Sequence, residues 1–416
     1  MKCFLRKALF MLLTTLSLMS CSQDEQVSVK QSNLLTTSHK ITVEEAKKNV
    51  MDFVSKLNQD TRASSFWGVN IGTVEVVSIP NGTRSGIPVN LDSLFYIINF
   101  KDNKGFAIAS SDDREVPIFA LVEEGNYSYD NDTITNAGFE AFMSGLIEQK
   151  ASCRESGLSY YVLEEPDMPS GGGDYPDDKF EMMAPLLATK WGQGAPYNKY
   201  CPGPYTGCVI TAISQICSYL QTPNTIQYNI DGEAGATILD WLRINNECSK
   251  NNGELITNEL EDHIAKLMRF WGGAFGAKYK AGGTSANTED ALKIMRGYGF
   301  NVSSLDEYDV NAVINDLKKG NRIVIMRGNG RYYHVGLVFR KYVDGHAWVV
   351  DGYIDQIKNR KETKYIHCNW GWNGLHNGYF LSTALNAEEN PAYDDGIVST
   401  RSSNFRYKLK TATFIK

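Results

Sequence analysis

Hydrophobic residues change their spacing along the chain, and the changes divide it. Val43, Ala46, Val50, Phe53, Val54 and Leu57 recur every three or four positions, as on one stripe of an amphipathic helix. Thr42 and Glu45 form a capping box that opens this helix. From Thr73 to Tyr129 the pattern shifts to strand. Apolar segments at 74–79, 95–100, 105–109 and 117–122 are separated by turns of Asn, Gly, Asp and Ser. A second helix is predicted over 138–155. These elements make an α+β unit of roughly 130 residues, an ordinary domain size. The unit lacks a catalytic set, and its one histidine, His39, sits in the polar approach to it.

Residues 164–178 are rich in Gly, Pro and Asp and read as an exposed linker. The order then reverses, with helices first and strands after. Helical spacing covers 208–220, 255–270, 288–298 and 309–319, the last stopped by Gly320. Strand patterns follow at 323–326, 333–339, 346–351, 365–370, 378–381 and 405–414. Helices segregated from an antiparallel sheet define an α+β fold class.

The N-terminus reads as a targeting segment. Lys2, Arg6 and Lys7 precede an apolar run, 8–18, that is too short to anchor in a bilayer. Leu18-Met19-Ser20-Cys21 resembles a bacterial lipobox, so residues 1–20 are expected to be a lipoprotein signal peptide and Cys21 a lipid carrier. Residues 21–38 are polar and read as a tether. The expected location is the outer membrane or cell surface, and Asp24 and Glu25 resemble an acidic export signal. The net charge of −6 over 416 residues argues against nucleic acid as a partner. Of eight cysteines, Cys3 leaves with the signal and Cys21 takes lipid. The remaining six do not form a dense disulfide framework if one is a free nucleophile, and no CxxC pair calls for zinc. No metal or cofactor is expected.

The chemistry centres on the helix at 208–220. Val209, Ala212, Ile213, Ile216, Tyr219 and Leu220 give it a buried face. Thr206 is the expected N-cap and Pro223 the expected stop. Cys208 thus lies in the first turn, where the positive end of the helix favours a thiolate nucleophile. A cysteine acyl-transfer site also needs a base, a group to orient it and oxyanion donors. His346, at the mouth of an apolar strand after Gly345, is the best base, and it lies about 140 residues downstream, within the roughly 130–150 of papain-like proteases. Asn369 can orient that histidine through its side-chain oxygen, and Trp370 can shield the bond. Gln193, between glycines, is the oxyanion candidate together with the Cys208 amide. His334 is a weaker base; His367 is expected to be packed or paired; His263 falls on a helix and His376 in a loop.

Four blocks together resemble the streptopain-type cysteine peptidases, a family with a papain-like fold. They are 193–198, 207–215, 345–352 and 369–380. The loop 282–287, with Ser285 and Ala286, resembles the family's substrate-cleft segment, and Gly345 joins it in that role. The resemblance implies a papain-like catalytic domain at 166–416, with a helical half and a sheet half. It implies an inhibitory prodomain at 39–165, and hence a zymogen. It also implies Cys208 as nucleophile, His346 as base, Gln193 as oxyanion donor, and Asn369 and Trp370 as supports of the histidine. Protein or peptide substrates and the chain's own prodomain are the expected partners. Two departures stand out: a Lys- and Arg-rich insert at 353–364, and the segment 390–396 in place of a glycine-rich loop. A Cys-His amidase or transpeptidase acting on cell-wall peptides would use the same residues. A tethered binding protein on a silent scaffold would not need them.

Overall fold

The computed structural model describes residues 39–60, 66, 68–78, 93–129, 136–155, 177–335, 339–385 and 407–416. The expected signal, the tether, most of the linker and the 390–396 segment lie outside the described residues.

The N-terminal part opens with α1 (Val43–Asp60), continues through β1 (Ile71–Val77), β2 (Phe95–Phe100), β3 (Phe106–Ser110) and β4 (Ile118–Val122), and ends in α2 (Ala137–Glu155). The capping box is present: the Thr42 amide donates to Glu45 Oε2 at 2.7 Å, and the Glu45 amide to Thr42 Oγ1 at 3.2 Å. Strands β2, β3 and β4 are buried on both faces, which is why they read as continuous apolar runs rather than alternating ones.

The C-terminal part begins with β5 (Lys179–Met183) and α3 (Cys208–Leu220). A hairpin of β6 (Thr225–Ile230) and β7 (Glu233–Ile238) leads to α4 (Trp241–Lys250) and α5 (Asn258–Ala274). The short hairpin β8 (Lys278–Lys280) and β9 (Gly283–Ser285) precedes α6 (Thr288–Gly297), β10 (Asn301–Val302), β11 (Asp306–Glu307) and α7 (Val310–Lys318). Long strands β12 (Arg322–Val335), β13 (Phe339–Lys358) and β14 (Lys361–Asn369) follow, then β15 (Gly378–Leu381), α8 (Ser382–Leu385) and β16 (Tyr407–Ile415). The expected insert at 353–364 is the far end of the β13–β14 hairpin, with Asp355 opposite Lys364 and Ile357 opposite Glu362.

One antiparallel sheet runs through both parts, in the order β1-β2-β3-β4-β15-β14-β13-β12-β16-β10, with β5 on β13 and β11 on β16. The seam is β4 against β15, where Ala120, Leu121 and Val122 face Phe380, Tyr379 and Gly378. Alternation along the strands splits the core in two. Ile323, Ile325, Ala347, Val349, Ala412 and Phe414 pack with α3, α4, α5 and α6. Val324, Met326, Trp348, Val350 and Leu409 pack on the other side, with the residues of α2, α7 and the N-terminal strands. Helix α2 thus covers the sheet face that turns away from α3.

Candidate active site

Helix α3 is buried on almost every side, from Val209 to Ser218. Gly207 precedes it with φ 101 and ψ 141, a conformation in which a side chain is strongly disfavoured. A Cβ there would also lie 3.1 Å from Thr284 Cγ2, so the β8–β9 hairpin sits directly on the helix entry. Thr284 Oγ1 donates to the Tyr205 carbonyl at 2.6 Å. This brings the 282–287 loop to the Cys208 end of α3, with Ser285 exposed and Ala286 half-buried. One local expectation changes. Thr206 does not cap the helix: its hydroxyl pairs with Thr211 Oγ1 at 2.8 Å, and Gly207 is the N-cap residue. The helix ends at Leu220, as its spacing predicts, and Gln221 closes it in the left-handed region with φ 55, ahead of Pro223.

Gln193 is held beside this entry through its backbone, whose carbonyl accepts from the Thr206 amide at 2.9 Å. Its side chain is half-buried. Burial raises the Cys208 thiol above its ordinary range, while hydrogen bonds from the amides of Ala347, Val209 and Cys208 itself oppose the rise. In this form the sulfur is therefore a thiol, because desolvation outweighs the helix terminus that favoured the anion.

His346 is buried, and its ring stacks on Trp348, 5.8 Å between centroids and 19° between planes. Both are even-numbered on β13 and share the face that meets the N-terminal part, whereas Ala347 and Val349 meet α3. Its Nε2 lies 3.1 Å from the Trp370 carbonyl oxygen. Burial takes the imidazole down to about 4, only partly offset by that carbonyl. Asn369 is engaged elsewhere. Its Oδ1 accepts from Gln215 Nε2 at 3.1 Å and from the Gly371 amide at 3.3 Å. Its Nδ2 donates to the Thr189 carbonyl at 2.9 Å. The expected chain of hydrogen bonds from Cys208 through His346 to Asn369 is thus not made in this form.

Trp370 explains the arrangement. It is fully buried, donates from Nε1 to the His376 carbonyl at 3.0 Å, and packs on Trp348 and Phe380 rather than over an Asn369–His346 bond. Helix α2 lies against it: a Cβ on Gly138 would overlap the six-membered ring of the indole. One turn of α2 also stacks Phe139 on His376, 4.1 Å between centroids. The N-terminal part thus presses on the loop whose carbonyl holds His346.

Three contributors have no assigned role in the sequence reading. Gln215 lies seven residues after Cys208, on the same side of α3, and a fully buried Gln in an apolar helix is the signal that marks it. Asp351 accepts from His367 Nδ1 at 2.6 Å, and Glu123 lies 3.6 Å from His367 Nε2. His367 is therefore paired, as expected, to one carboxylate from each part of the chain. The five described thiols, Cys201, Cys208, Cys217, Cys248 and Cys368, are free.

Known proteins carry the same two parts. The peptidase C10 family model matches residues 191–380, and the Spi protease inhibitor model matches residues 38–149. Streptopain of Streptococcus pyogenes is 25% identical over 362 aligned residues, spanning 74% of this chain and 81% of the relative. The thiol protease/hemagglutinin PrtT of Porphyromonas gingivalis is 23% identical over 350 aligned residues, spanning 71% of this chain and 34% of that protein. A prointerpain A fragment of Prevotella intermedia has the same papain-like fold, with TM-score 0.52 and 23% identity over 82% of this chain and 98% of the fragment. The chain is thus a cysteine peptidase with a peptidase C10 family domain at 191–380 behind a Spi protease inhibitor domain at 38–149.

Proposed function

We propose that the chain is an endopeptidase whose described form is latent, with Cys208 as nucleophile and His346 as the proton carrier. The observation that carries this reading is the geometry of His346. Its strand runs beside Cys208 closely enough for the Ala347 amide to reach the sulfur, yet its ring is turned to Trp370, which α2 covers. Lifting α2 frees the Trp370 loop and the start of β13, whose backbone then twists at His346 to bring the ring round to the Cys208 side. The thiolate then attacks the substrate carbonyl carbon, and the oxyanion takes bonds from the Cys208 amide and the Gln193 side chain. The C–N bond breaks as His346 passes its proton to the leaving amine. Water, deprotonated by His346, cleaves the thioester and restores the thiol. Asn369 orients the imidazolium, Trp370 shields that bond, and Ser285, Ala286 and Gly345 line the substrate cleft. Residues 39–165 act as the intramolecular inhibitor, and Cys21 carries a lipid tether, the latter read from Leu18-Met19-Ser20-Cys21 alone.

The test is Cys208→Ala. Casein cleavage and epoxide labelling are expected to fall by about 10⁴-fold or more. Intact mass spectrometry of the same two chains reports whether the prodomain stays attached in the variant and whether Cys21 bears acyl mass. Epoxide labelling at another cysteine would overturn the assignment.

A further inference from the structure

Gln215 uses both ends of its side chain in a fully buried place. Its Oε1 accepts from the Trp191 amide at 2.9 Å and from Thr189 Oγ1 at 3.2 Å. Its Nε2 donates to Asn369 Oδ1 at 3.1 Å. These bonds tie α3 to the turn that leads into Gln193 and to the end of β14. A buried amide is costly unless each end is satisfied, and an apolar side chain would serve for packing alone.

The bonds also settle which way the Asn369 amide faces. The Trp191 amide is a donor only, so the Gln215 oxygen must face it. The nitrogen of Gln215 then faces Asn369 and requires an oxygen there. The Thr189 carbonyl, an acceptor only, takes Asn369 Nδ2 at 2.9 Å. Every group in the chain has one allowed orientation.

We propose that Gln215 is a positioning residue for peptide hydrolysis. It presents the oxygen of Asn369, not its amino group, to the imidazolium of His346. This rests on the assignment of Cys208, His346 and Asn369 as the working set. Asn369 Oδ1 has two bonds in the latent form, and the longer one, from the Gly371 amide at 3.3 Å, is the one His346 replaces. An amino group at that position would repel the imidazolium and weaken its ion pair with the thiolate.

The test compares Gln215→Met, which keeps the length and loses the amide, with Gln215→Leu, which loses the amide in a shorter side chain; neither can donate to Asn369. Each full chain is matured by immobilised wild-type enzyme, and active sites are titrated with an epoxide. Per titrated site, kcat is expected to fall about 10–100-fold, the scale of loss when the partner that orients a functional histidine is removed, with KM within about twofold. The bell of kcat/KM against pH is expected to narrow from both sides: the thiolate forms at higher pH and the imidazolium is lost at lower pH. If Gln215→Met yields no soluble chain, Gln215→Leu carries the same measurement. An unchanged kcat and pH profile per titrated site would overturn the role of Gln215 while leaving an inactive Cys208→Ala chain intact. Full cleavage by Cys208→Ala would overturn the assignment of the site itself.

Discussion

His346 and His367 stand on neighbouring strands of one sheet, both buried, and their chemistry diverges completely. His346 lies against a carbonyl oxygen and an indole face, and burial takes it down to about 4. Burial works against the charge of His367 too, but Asp351 and Glu123 outweigh it and push it up to about 10. Burial alone therefore does not decide the state of a histidine; the presence of an anion does. The neutral one is the proposed base, held out of use. The charged one bridges the two parts of the chain, because Asp351 lies on β13 and Glu123 directly follows β4.

The comparison can be broken most forcefully at Asp351. In the Cys208→Ala chain, isolated with its prodomain attached, Asp351→Asn removes the nearest anion from a buried charge. Urea unfolding at pH 7 is expected to show a loss of about 3–5 kcal/mol, and His367 should then titrate toward the range of His346 by NMR. An unchanged unfolding midpoint would show that the pair carries no weight. The next effect is smaller and has the opposite pH sense. His346 is held below its ordinary value, so its contribution is complete above about pH 6.5 and is lost as pH falls toward 4. The loss amounts to about 3 kcal/mol. His346→Gln in the same background should flatten the acid limb of the stability profile; a parallel limb would assign it to carboxylates instead. The smallest effect is at Glu123, whose oxygen is 3.6 Å away. Glu123→Gln should cost about 1–2 kcal/mol. The elevated value of His367 means its contribution is present below pH 6.5 and disappears as pH rises toward 10. Release of the prodomain from the otherwise wild-type chain should therefore accelerate at a pH about one unit lower in the Glu123→Gln variant. Identical pH dependence in both chains would remove Glu123 from the comparison.

Much of this was legible in the chain, for reasons that differ by residue. Strands buried on both faces announce themselves as apolar runs, so β2, β3, β4, β13 and β14 stand out. The far end of the β13–β14 hairpin does not, because Asp355, Gln356, Lys358, Glu362 and Lys364 look like loop until paired across it. The β6–β7 hairpin carries its own signal, Asp231-Gly232 with φ 53 and 90 at the turn, but too few apolar residues flank it to reveal its strands. Cys208, His346, Asn369 and Gln193 stand out by type and neighbours as the proposed working set. The side to which His346 turns follows from strand alternation, since its even-numbered position puts it with Trp348 and Val350, but that this face meets the N-terminal part shows only once α2 is packed on it. Thr206 misleads because a hydroxyl before a helix has two possible partners, and here Thr211 takes it.

The seam between β4 and β15 has a consequence for what remains once the prodomain is gone. Its departure strips one margin of Gly378, Tyr379 and Phe380 of the backbone partners they now share. Three paired residues suffice to set a register for the arriving inhibitor, yet so short a ledge offers a poor template for a stranger's strand. The freed peptidase would thus shed its guard without acquiring a sticky border.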